Sequence, residues 1–70
     1  DQPLFYLSRG KALQIQKKYQ ESIVTLESGL DFVFDNSVLK KEFFRALIEA
    51  YTRINKPLKV LEFTKKLKKI

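Results

Sequence analysis

The chain has 70 residues, with 14 Lys and Arg against 8 Asp and Glu, a formal net charge of +6, 44% hydrophobic residues, and only 2 Gly and 2 Pro. That length allows one domain, and the composition excludes both a disordered chain and a Gly/Pro-punctuated β-fold, which leaves an all-α class. Cys and His are both absent, which removes disulfides, thiolate chemistry and the commonest metal and proton-transfer ligands, and no apolar run is long enough for a membrane span.

Pro3 stands at a first helical position, and Leu4, Leu7, Gly10 and Leu13 follow at three and four spacing, predicting a helix to about Gln16. Lys17 and Lys18 close it. Tyr19 opens a second helix whose apolar stripe is Ile23, Leu26, Leu30 and Phe34, ending near Phe32 or Phe34. Asp31, Asp35 and Asn36 mark a break, and Asn36 or Ser37 can cap a third helix by accepting from its free first-turn amides. That helix is expected from about Val38 to Ile54, with Phe43, Phe44, Leu47, Ala50, Tyr51 and Ile54 inward. Asn55, Lys56 and Pro57 make the next turn, and the fourth helix is expected to hold Val60, Leu61, Thr64, Leu67 and Ile70 inward. A start at Asp1 without Met reads as an excerpt of a longer chain, and a cytoplasmic setting is expected.

The stretch Gly10 to Leu30 interleaves the small residues Gly10, Ala12, Ser22 and Gly29 with the large ones Leu13, Tyr19, Ile23, Leu26 and Leu30. Small residues let one helix backbone approach another while large ones fill the space beside them. A helical glycine costs about 1 kcal/mol against alanine, so two at packing positions imply a steric need. The reading is a helical hairpin, and a shift of 38 residues finds it again. The shift lays Phe5 on Phe43, Tyr6 on Phe44, Ala12 on Ala50, Lys18 on Lys56, Tyr19 on Pro57, Ile23 on Leu61 and Phe32 on Ile70.

These residues resemble the tetratricopeptide repeat (TPR) family. In the first copy Tyr6 matches the opening aromatic, Gly10 the glycine, Ala12-Leu13 the pair after it, Tyr19 the start of the second helix, and Ser22 and Gly29 the two small positions. The second copy keeps Phe44, Leu47, Ala50-Tyr51 and Leu61. It departs at Ile48 for glycine, Val60 and Leu67 for the two alanines, and Thr64 for the aromatic, so its helices should splay. The family period is about 34 residues, and the longer shift implies lengthened helices around Phe32 to Lys40. The resemblance implies one domain over 1–70, an α-solenoid piece of two antiparallel helical hairpins, repeat one about 3–35 and repeat two about 37–70.

No catalytic constellation is legible. Ser8, Ser22, Ser28 and Ser37 have no His as base, and the carboxylates Glu42 and Glu49, seven apart, have Arg45 and Arg53 at ion-pair spacing. The chain therefore reads as a non-catalytic protein with no cofactor. The TPR resemblance implies a concave groove lined by first helices that receives a segment of another protein. On this chain its residues would be Leu7, Lys11, Gln14 and Ile15, with Arg45, Glu49, Thr52 and Arg53 by the 38 shift. Leu7 and Ile15 are expected as exposed apolar anchors, unless a helix preceding Asp1 covers them. Lys11 and Glu49 stand where a chaperone-carboxylate clamp would need asparagine, which argues against that clamp.

Charge gives the alternative reading. Lys56, Lys59, Lys65, Lys66, Lys68 and Lys69 face Glu62 alone over residues 56–70, a basic element that could meet nucleic acid or an anionic membrane. A solvated helix face is the plainer account, because no base-stacking aromatic is interleaved except Phe63. Further expected partners are neighbouring repeats of a parent chain and a second copy, through Val60, Phe63, Leu67 and Ile70.

Overall fold

The computed structural model describes residues 2–70; Asp1 lies outside that range. Four helices follow one another: α1 (Gln2–Ile15), α2 (Tyr19–Leu30), α3 (Ser37–Arg53) and α4 (Pro57–Lys68). The described residues contain no strand, and the all-α class is established. α1 packs on α2 and α3 on α4 as two hairpins, while α3 also meets α2 and α1. The result is flattened, 30 × 24 × 14 Å between Cα extremes, so α3 lies at the centre and α4 at one edge.

Both hairpin turns are built alike. Lys17 takes a left-handed φ of 63°, its amide donates to Gln14 O at 2.9 Å, and the amide of Lys18 donates to Leu13 O at 2.8 Å. At the second turn Asn55 has φ 58°, its amide donates to Thr52 O at 3.1 Å, and that of Lys56 to Tyr51 O at 3.0 Å. This pair of reversed bonds satisfies the carbonyls that a helix C-terminus leaves free. Pro57 follows at the first turn of α4, where its missing amide costs nothing. Asn36 caps α3, accepting from the Leu39 amide at 3.0 Å.

The connection between the hairpins departs from the sequence reading. α2 stops at Leu30 instead of running to Phe32 or Phe34, and residues 31–36 form a non-helical link with Asp35 left-handed at φ 49°. The expected lengthening of α2 does not occur. Phe34 is 78% exposed and leaves the apolar stripe, while Val33, which has no helical period to betray it, is buried in its place.

Within the first hairpin the small residues act as the spacing implied. Ser22 is fully buried and its hydroxyl donates to Gly10 O at 2.7 Å across the interface. A Cβ on Gly10 would lie 2.5 Å from Leu26 Cδ2, and one on Gly29 would meet Tyr6 Cβ and stand 2.8 Å from Phe43 Cε1. Leu26, Phe43 and Leu47 are the large side chains shut off completely from solvent.

Three burial expectations for residues 57–70 are overturned. Phe63, expected on an exposed self-association face, is buried: its ring stacks on Tyr51 at 5.8 Å and tilts against Phe44 at 5.7 Å. Leu61, expected inward, is 51% exposed, because α4 packs on α3 alone and no further helix covers that side of it. Ile70, also expected inward, is exposed at the chain end. Val60 and Leu67 are partly buried against the core, so the self-association face loses most of its apolar area.

Tyr51 links the hairpins. Its hydroxyl donates to Glu27 Oε2 at 2.7 Å, and burial, then this hydrogen bond, then the charges of Glu27 and Glu62 push its pKa up from 10.0 to about 12. A folded-state pKa above the unfolded one means stability that is whole below pH 10 and is lost as pH rises toward about 12. Urea titrations across that window should therefore show Tyr51→Phe losing less stability than the parent. Equal slopes for the two would show that Tyr51 titrates as it does in the unfolded chain.

Candidate partner-binding groove

α1 and α3 lie side by side because Leu7, Leu47 and their neighbours join one core, and polar bonds then fix their register. Gln14 Nε2 donates to the Ala46 carbonyl at 2.8 Å. Glu42 sits between Lys11 at 3.4 Å and Arg45 at 3.5 Å, tying the two helices at the surface. Two turns on from Glu42, Glu49 accepts from Arg53 Nε at 2.9 Å. That hydrogen bond, with the Glu49 charge behind it, holds the guanidinium still more firmly protonated than usual. Glu42 and Glu49 are thus each engaged by an arginine of their own helix, as the sequence spacing predicts.

Beside these pairs is an open cleft of about 350 Å3 lined by Lys11, Gln14, Ile15, Tyr19, Glu49 and Arg53. Five of the eight residues expected in the groove come together there. Ile15 is 84% exposed at the last turn of α1, an apolar side chain in a charged rim. Tyr19, expected at the start of α2 and among its packing residues but not in the groove, supplies a half-buried ring on the same wall. Its place could have been read from the sequence, since a turn as short as Gln16 to Lys18 returns the chain beside Ile15.

The other three residues separate. Arg45 is held by Glu42 beyond the cleft. Thr52 bonds back to the Ile48 carbonyl at 2.7 Å and lines a different crevice, toward α4. Leu7 is corrected outright: it is 7% exposed and part of the core, not an exposed anchor. α1 has two neighbours, α2 and α3, so its buried arc is wider than a single hairpin partner would require.

Among the described residues no three His, Cys, Asp or Glu side chains gather as a metal site would require, and no helix is long and apolar enough to cross a membrane. No protein-family model, no curated protein and no solved structure matches the chain.

Proposed function

We propose that the chain is a non-catalytic interaction module of the tetratricopeptide-repeat kind, a two-hairpin piece of an α-solenoid that holds a segment of another protein in the α1–α3 cleft. The repeat reading is supported by the two hairpin turns, which carry the same backbone bonds 38 residues apart, and by the close approach at Gly10, Ser22 and Gly29. The second hairpin, with Ile48, Val60 and Leu67 at the corresponding places, is the divergent copy.

The observation that carries the binding reading is Ile15. A β-branched apolar side chain left 84% exposed beside an aromatic and between Lys11 and Arg53 forms an anchor with a polar rim, the composition of a recognition patch. Leu7 belongs in no such test, since Leu7→Ser would open the core. Ile15→Ser combined with Arg53→Gln should keep the fold, with a stability loss of about 1 kcal/mol or less from the Glu49 pair and helix-end terms, while reducing capture of the partner segment at least tenfold. A folded double variant that captures the same partners at parental strength would remove this assignment.

A further inference from the structure

Where α3 runs into α4 the surface opens a second crevice, of about 400 Å3, lined by Pro57, Val60, Leu61 and Thr64 of α4 and by Thr52 and Asn55 before it. It shares no lining residue with the α1–α3 cleft. Lys56 stands at its mouth. Four residues beyond Leu61 and Thr64 on the helix come Lys65 and Lys68, which continue the same stripe and are exposed.

The lysines of α4 fall into two sets. Lys59 and Lys66 pair with Glu62 at 3.4 and 3.2 Å, and Lys66 also lies 4.9 Å from the Phe63 ring. These interactions hold the Glu62 carboxyl below the usual range, through Lys66 first. Lys56, Lys65 and Lys68 make no ion pair among the described residues. Lys59, Glu62 and Lys66 share one side of the helix, while Lys65 and Lys68 follow Leu61 and Thr64 on the side of the crevice that Lys56 also lines.

We propose that this crevice is a second docking surface and that its occupant is an amphipathic helix of another protein, with an apolar stripe flanked by Asp or Glu. From Pro57 to Lys68 the stripe runs roughly 16 Å, about three helical turns at 1.5 Å per residue. Val60 and Leu61 supply the apolar contact, and Lys56, Lys65 and Lys68 supply charge complementarity that sets orientation and on-rate. A second copy of this chain does not fit the site. Its exposed apolar residues on α3 and α4 sit among lysines, Leu4 and Phe5 of α1 share that helix with Arg9, α2 offers a lone exposed Val24 beside Glu21, and Phe32 and Phe34, though flanked by Asp31 and Asp35, stand on the non-helical link and form no helical stripe. Nucleic acid is disfavoured because the apolar lining is aliphatic and the aromatic of α4, Phe63, is enclosed.

The test uses two synthetic 14-residue helices with identical leucine stripes, one flanked by Glu and one by Lys, titrated into 15N-labelled protein. The Glu peptide should shift the amides of Thr52, Asn55, Leu61 and Thr64, and the Lys peptide should not. Leu61→Glu, and separately Lys65→Glu with Lys68→Glu, should weaken the Glu peptide at least tenfold, with folding confirmed by circular dichroism. Val24→Glu, at a comparably exposed site on α2 away from the crevice, should leave its affinity unchanged. Equal binding of both peptides overturns the proposal, as do shifts confined to other helices or an equal loss from Val24→Glu. Binding to phosphatidylserine vesicles or a DNA duplex that exceeds peptide binding and survives Leu61→Glu overturns it in favour of a simple basic face.

Discussion

Phe43→Ala is expected to cost about 3–5 kcal/mol, the range for emptying a fully enclosed aromatic site. Phe43 has no exposed surface and sits on α3, the helix that meets all three others. Its ring also reaches Gly29 of α2, so truncation opens a void where two hairpins join. A chain of this length holds roughly 4–10 kcal/mol in total, so the variant should lose a third or more of its stability. Leu58→Ala, at an exposed site, should stay within about 0.5 kcal/mol of the parent. Urea midpoints for the pair decide the matter; a loss below about 1 kcal/mol at Phe43 would mean that the core is not organised around α3.

Gly29→Ala is the second large effect, and its sign is the informative part. On helix propensity alone, alanine would add up to about 1 kcal/mol of stability. The new methyl, however, meets Tyr6 Cβ, an atom that moves only with the α1 backbone, and the Phe43 ring. Overpacking of this kind costs about 1–3 kcal/mol, so the net result should be destabilisation. Gly10→Leu should follow for the same reason, since Leu26, the side chain it would strike, is wholly enclosed. Ile48→Gly should be milder than either, because Ile48 is only partly buried. Stabilisation by Gly29→Ala would show that the helices stand further apart than this packing requires.

The helices and the first hairpin were legible because their signals are local. Pro3, Asn36 and Pro57 mark helix starts, Lys17 and Asn55 mark stops, and the Gly10, Ser22 and Gly29 spacing marks the close approach. What failed depended on which neighbour each helix meets, and periodicity does not carry that. The groove that the TPR resemblance implies turns Leu7 outward, whereas α1 meets two helices and buries it, and Leu61 is expected inward on a side of α4 that no helix covers. Phe63 could have been placed, since Val60, Phe63 and Leu67 lie three and four apart on one face. Of the groove, the charged spacing and Ile15 were readable, whereas Tyr19 needed the path of the turn and Thr52 the position of α4.

The most direct measurement of the proposed activity is site-specific photo-crosslinking, with benzoylphenylalanine placed in turn at Ile15, Val24 and Leu58. All three side chains are well exposed, so the probe is tolerated at each and only location differs. If the α1–α3 cleft holds a protein segment, position 15 should give a discrete adduct that Arg53→Glu suppresses, and position 24, on the outer face of α2, should give none. Adducts of equal yield from positions 15 and 24, indifferent to Arg53→Glu, would contradict a binding groove between α1 and α3.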